Sequence, residues 1–180
     1  MKLTWGRTEN RPVTAKRKIY IAGSRQIFYN QEYNLVFKGD NPMKIISSEA
    51  EKIMIERFGK DTVIALATVE KEVPYVRYVN AYYENGAFYI ITYALSNKMK
   101  HIENNPAVAI AGEWFTAHGK GVNLGYFGRE ENHLIAEKLK NVFAEWIDNG
   151  HNNFDDENTI ILCVDLTDGL LFSHGTKYEF

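Results

Sequence analysis

The chain has 180 residues, 45% of them hydrophobic and 24% charged, with a formal net charge of −2. That is the size and composition of one globular domain with room for a sizeable core, and it excludes a disordered chain, a collagen-like chain and a disulfide miniprotein. The slight negative charge argues against general nucleic-acid binding. No apolar run approaches the roughly 18 residues of a membrane-spanning helix, so no membrane partner is expected. Cys163 is the single cysteine. It can form neither an internal disulfide nor a zinc site, and it fits a reducing, cytoplasmic setting.

The first 42 residues carry eight Lys/Arg against three Asp/Glu, and residues 43–180 carry 13 against 20. A basic N-terminal extension, 1–42, therefore precedes an acidic body, 43–180. The turn formers Gly39-Asp40-Asn41-Pro42 mark the boundary, just before Met43. Three readings of the extension stay open: a natural start at Met43, an extension that packs on the body, and a targeting segment. It has no apolar stretch of the secretory type. Lys18–Ala22 and Gln26–Phe37 hold enough Tyr, Ile, Phe and Val for short strands.

In the body, Ser48 and Glu51 read as a capping box, and Ala50, Ile53, Met54 and Phe58 recur at helical spacing up to Gly59. Thr62–Val69 is a nearly continuous apolar run, read as a strand buried on both faces. Tyr75–Tyr83 and Ala87–Thr92 follow as strands, joined by the Asn85-Gly86 hairpin turn. A short helix over Asn97–Asn104 is opened by Ser96. Pro106 ends it and begins the strand Ala107–Trp114. Thr116–Val122 reads as a further strand, Asn123–Gly128 as a loop, and Glu130–Ile147 as a long amphipathic helix with Ile135, Leu139, Val142 and Trp146 on one stripe. An acidic loop, His151–Glu157, leads to a last hairpin, Thr159–Leu166 and Gly169–His174, turning at Thr167-Asp168. Six or more short antiparallel strands with a few capping helices predict a mostly β chain closed into a barrel.

The segment from Arg77 to Pro106 carries the most chemistry. Thr92, Ser96 and Lys98 cluster where a strand ends and a helix begins. Two hydroxyls, one ammonium and the unpaired first amides of a helix make an anion site, for which a phosphate monoester is a natural ligand. Arg77, in the preceding strand, can reach the same anion with its guanidinium fork. The plainer alternative makes Ser96 a simple cap, Lys98 a solvated helix residue and Arg77 a surface strand residue.

The order Thr92-x-x-x-Ser96-x-Lys98, followed by Asn105-Pro106, resembles the flavin-binding segment of the pyridoxamine 5'-phosphate oxidase family. Arg77-Tyr78-Val79 stands where that family has Arg-x-Val, and Phe172-Ser173-His174-Gly175 is similar to its Phe-Trp-Gln-Gly. The resemblance runs from about Ser48 onward. It implies an FMN-binding split β-barrel, commonly a homodimer with flavins at the subunit interface. It implies that Arg77, Lys98, Thr92 and Ser96 hold the FMN phosphate. Asn97 stands where the family often has a second basic residue. Tyr78, Val79 and Asn80 would run beside the isoalloxazine ring, Val79 and Asn80 presenting backbone groups to it. Trp114, His118 and Lys120 would reach the flavin from the other subunit.

Two departures separate the chain from the vitamin B6 oxidase itself. Ser173 replaces the tryptophan, and Thr176–Phe180 contain neither the Arg nor the His that hold pyridoxamine phosphate after the glycine. The resemblance is therefore to the family's shorter relatives, such as general stress proteins and nitroimidazole-resistance-like reductases. Their implied activity is an FMN-dependent oxidoreductase passing electrons between a reduced nicotinamide or similar donor and a small molecule. The alternative is a non-catalytic module that stores or senses a flavin or haem; a deazaflavin is a further cofactor in such barrels. No catalytic residue is assigned. His118 and His174 are candidate acid/base groups, no histidine pair has metal-ligand spacing, and Cys163 reads as inert packing.

Overall fold

A computed structural model describes residues 46–150 and 152–180, with the backbone of 19–22, 25–29 and 35–38. The chain divides into two units, Met1–Gly39 and Asp40–Phe180. In the first, β1 (Ile19–Ala22), β2 (Arg25–Tyr29) and β3 (Leu35–Lys38) form an antiparallel sheet in the order β1-β2-β3. The Gly39–Met43 boundary, the burial of the extension's aromatics and His151 lie outside the described residues.

The second unit starts with α1 (Ser48–Phe58). Its cap is Ser47, whose Oγ accepts from the Ala50 amide at 3.3 Å, one residue earlier than the Ser48/Glu51 box. Glu51 is drawn away instead, accepting a 2.5 Å hydrogen bond from the Tyr83 hydroxyl. Then come β4 (Thr62–Glu70), β5 (Val73–Glu84) and β6 (Ala87–Tyr93). Asn85 and Gly86 turn the β5–β6 hairpin with φ of 51° and 78°, as the Asn-Gly pair predicts. After α2 (Asn97–Asn104) follow β7 (Ala107–Gly112) and β8 (Phe115–Tyr126). The strand order β9-β6-β5-β4-β7-β8, closed by pairing of β8 with β9, makes a six-stranded antiparallel barrel, and β10 extends it by a seventh strand.

Four further expectations change. β4 is not buried on both faces: Ile64, Leu66 and Thr68 point into the core, whereas Val63 is exposed and Ala65 and Ala67 are half-buried. Alanines kept the run apolar without a second layer to cover them. The segment expected as a loop, Asn123–Gly128, is strand as far as Tyr126, because Gly125 at φ 84° lets β8 continue through an irregularity. The long helix is shorter. A 3-10 turn, Glu130–Asn132, leads into α3 (His133–Val142), and Phe143 and Ile147 continue the buried stripe in turns.

The last hairpin turns elsewhere. β9 (Thr159–Ser173) runs straight through Thr167-Asp168, which form a bulge: His118 pairs with Asp168 and Gly119 with Leu166. The turn is His174-Gly175, at φ 48° and 77°, and leads to β10 (Thr176–Glu179). Gly169 is needed inside β9 because a Cβ there would meet the Phe180 ring at 2.6 Å.

The core is aromatic. Phe58, Phe88 and Phe115 contact one another with ring centroids 5.2 to 5.9 Å apart, and Tyr83 lies 5.2 Å from Phe88. They plug the barrel near the closed end of the β5–β6 hairpin.

Candidate functional site

β5 and β6 are hydrogen-bonded only next to their turn, where Tyr82–Glu84 pair with Ala87–Tyr89. Beyond that, β5 stays with β4 as far as Val73, and β6 stays with β9 as far as Tyr93. The barrel therefore opens between Val73–Ala81 and Ile90–Tyr93, and α2 starts at that opening. In β5, Arg77 alternates with Val79 and Ala81, so it faces inward. One of its terminal nitrogens, Nη1, donates to the Leu66 carbonyl at 3.2 Å and to Thr68 Oγ1 at 2.7 Å. Among the described residues, Nη2 and Nε have no hydrogen-bond partner.

Lys98 meets Arg77 from the other side. Its Nζ donates to Thr92 Oγ1 at 2.7 Å and to Ser96 Oγ at 3.4 Å. Burial, and then the Arg77 charge, hold the Lys98 pKa below the ordinary lysine value; burial also lowers that of Arg77. Neither cation has an ion-pair partner among the described residues. Ser96 takes the cap position in extended conformation, yet its side chain makes no cap hydrogen bond. The first backbone bonds of the turn go from Met99 and Lys100 to the Ser96 carbonyl, which leaves the Asn97 and Lys98 amides without a partner among the described residues. The first turn of α2 holds no acid. Two half-buried cations, two hydroxyls and two open amides thus converge with no carboxylate among the described residues to balance them. Such a donor set is built for an anion of more than one charge.

The other expected site residues are distributed as follows. Val79 packs against the core beside Arg77, whereas Tyr78 points outward and is 80% exposed. The Asn80 side chain is turned to the outer face and donates to Asp61, which also accepts from Trp146 Nε1. Asn97 is exposed at the helix start. Trp114 sits in the β7–β8 turn at φ 52°, 71% exposed. His118 and Lys120 lie on the outer face of β8, with β4 and β7 between it and β5, and His118 Nδ1 is 2.7 Å from Asp168 Oδ1. The structure therefore brings Arg77, Thr92, Ser96 and Lys98 together and leaves Trp114, His118 and Lys120 outside their cluster. His174 is taken up in the β9–β10 turn, its Nδ1 3.0 Å from Ser173 Oγ.

Sequence reasoning missed Thr68 and His101, which stand directly behind Arg77. The signal was present: Thr68 is a hydroxyl at an inward position of an apolar strand, where a buried polar group requires a partner.

The strand order and its closure define a split β-barrel, and comparison with known proteins agrees. Residues 51–167 match the model of the pyridoxamine 5'-phosphate oxidase family, and the chain belongs to that family. The match spans Arg77 to Lys120 and stops before Phe172. The chain is 28% identical over 114 residues to general stress protein 26 of Bacillus subtilis strain 168, covering 63% of this chain and 81% of that one. A solved FAD-binding protein from Mesorhizobium loti superposes with a TM-score of 0.54 at 14% identity, over 75% of this chain and 96% of its own. A heme binding protein from Mycobacterium smegmatis does so with 0.56 at 14% identity, over 76% and 59%. At those identities the structural likenesses speak for the fold alone.

Proposed function

We propose that the chain binds FMN through its phosphate and acts as an FMN-dependent oxidoreductase on a small molecule. The observation that carries this reading is the uncompensated pair Arg77 and Lys98 beside the open amides of α2. A phosphate dianion matches two cations in charge and accepts from the Lys98 ammonium, the free guanidinium nitrogens and the amides together. The cation pair fits a phosphomonoester better than the single charge of a carboxylate. A flavin, when bound, supplies the acceptance and donation of hydride or single electrons. The protein's own part is to hold the phosphate at the opening, line it with Val79 and the free edge of β5, and keep water from one side of the ring.

A second copy of the chain covers the other side in this reading. The outer face of β5, β4, β7 and β8 carries two cross-strand rows, Tyr78-Ala65-Ala111-Thr116 and Val76-Ala67-Ala109-His118. Val76 is 69% exposed and Val63 57%. An alanine-floored sheet face rimmed by Tyr and Val suits close self-association, and a two-fold dimer would bring Trp114, His118 and Lys120 to the partner's opening.

Titration of the purified protein with FMN tests the binding, and NADH or NADPH oxidation with FMN present tests the activity. Saturable flavin binding with turnover of the nicotinamide supports the full reading. Binding without turnover by either donor would leave a flavin-holding module and remove the oxidoreductase assignment. Saturable binding of haem with none of FMN would overturn the cofactor.

A further inference from the structure

Behind Arg77 runs a buried chain of polar groups that the phosphate site does not itself need for contact. Thr68 is fully buried, and His101 is 4% exposed. The Arg77 guanidinium can only donate, so Thr68 Oγ1 accepts from it at 2.7 Å. The Thr68 hydroxyl proton is then free for His101 Nδ1, 2.9 Å away. With the hydroxyl donating in that direction, the ring proton sits on Nε2, which faces the Glu70 carboxylate at 3.5 Å; the variants below test this arrangement. The Tyr75 ring packs on the imidazole, with centroids 4.8 Å apart. The chain thus joins the end of β4, the middle of α2 and the open half of β5, and it ends at the guanidinium.

We propose that Thr68 and His101 are positioning residues of the anion site. His101 fixes the direction of the Thr68 hydroxyl, and the hydroxyl oxygen fixes Nη1. With Leu66 O as the second acceptor, Nη1 is held by two partners, so Nη2 and Nε point into the opening instead of sampling rotamers. Arg side chains have high rotamer entropy, and pinning one nitrogen in advance removes part of the ordering cost at the moment of binding. The same link ties α2, which carries Lys98 and the open amides, to the strand that carries Arg77, so both cations keep their spacing. The inference rests on the phosphate reading above.

The experiment compares FMN with riboflavin, which differ only in the phosphate, on the full chain. Thr68→Val removes the hydroxyl at constant shape and should weaken FMN by about five- to tenfold, the worth of one hydrogen bond. Riboflavin should change less than twofold. Thr68→Ser should restore most of the FMN affinity. His101→Phe keeps the ring stacked on Tyr75 without the hydrogen bonds and should lower the FMN-to-riboflavin ratio, and His101→Gln should lower it less. A merely structural role would weaken both ligands together. An unchanged ratio in both Thr68→Val and His101→Phe, with Lys98→Ala still phosphate-selective, overturns the positioning role and leaves the site reading intact. Should Thr68→Val fail to fold, the His101 pair decides alone. Equal binding of FMN and riboflavin by the unaltered chain overturns the site reading and this inference with it.

Discussion

β5 is one strand with two fates. Its last residues, Tyr82 to Glu84, pair with β6, and Tyr83 and the preceding Ala81 are in the core; its first, Val73 to Tyr78, are bonded to β4 alone, and all but Arg77 are exposed. Both halves have the same β-rich composition, but the first pairs with β4 and the last with β6. What differs is whether β6 follows. In the closed half Ala81 and Tyr83 are buried in the core and Tyr82 is half-buried, so it carries stability. In the open half the inward positions are held by Arg77 and Tyr75 rather than by Leu or Phe, so the opening is lined by groups with unused donors. Stability and the candidate chemistry are separated along a single strand, and substitutions in each half should fail in different ways.

The largest effect is expected in the closed half. Phe88, fully buried against Phe58, Phe115 and Tyr83, should cost about 3–5 kcal/mol of stability when changed to Ala. Denaturant unfolding measures it. The ratio of FMN to riboflavin affinity should stay where it was in the folded fraction. A loss of that ratio at unchanged stability would show that the two halves are not separable.

On the outer face of the open half, Tyr78→Glu places a carboxylate on the alanine-floored surface. Burying it unpaired at a self-interface costs on the order of 3 kcal/mol. The expected outcome is a dimer in the unaltered chain, with an interface above about 2,000 Å², and a monomer in the variant at micromolar concentration. Sedimentation reads both. An unaltered chain that sediments as a monomer would reassign this face.

The contrast also explains what the sequence could reveal. The Asn85-Gly86 turn and the helix Asn97–Asn104 were legible because they depend on neighbours in sequence, as was the cluster Thr92, Ser96, Lys98. The continuity of β9 was not. Thr167-Asp168 looks like a turn locally, and only the pairing of β8 with β9 shows it to be a bulge. The two faces of β4 could not be told apart, since an Ala beside a Leu reads as buried whether or not a layer covers it. Thr68 and His101 are 33 residues apart, and no local pattern announces that their side chains meet.

In the open half, Lys98→Ala should weaken FMN by about 1.5–3 kcal/mol, the worth of a charge-assisted contact. Riboflavin should lose far less. Equal losses for both ligands would move the phosphate away from α2. Arg77→Lys should recover charge but not the fork, and so bind FMN between the unaltered chain and Arg77→Ala.

The smallest effect is a pH dependence that has opposite signs at the opening and in the closed half. Lys98 has its pKa lowered, first by burial and then by Arg77, from the ordinary 10.5. Between that lowered value and 10.5 the unfolded chain binds more protons at this position than the folded one. Stability of the flavin-free protein should therefore rise with pH through this window, by less than the ~1.4 kcal/mol per pH unit of a whole proton. The closed half works in the opposite sense. Burial, with the charge and hydrogen bond of Glu84 adding to it, pushes the Tyr82 pKa from 10.0 up to about 12. That contribution is fully present below pH 10 and is lost as the pH climbs toward 12. The Lys98 contribution should be read as the difference between the unaltered chain and Lys98→Met in denaturant unfolding at a series of pH values, in which the Tyr82 contribution cancels. Saturation with FMN should flatten the difference, because a phosphate beside the ammonium restores its affinity for the proton. A difference curve that is flat without flavin would mean that the Lys98 charge is solvated, and that the two cations do not share one enclosed site.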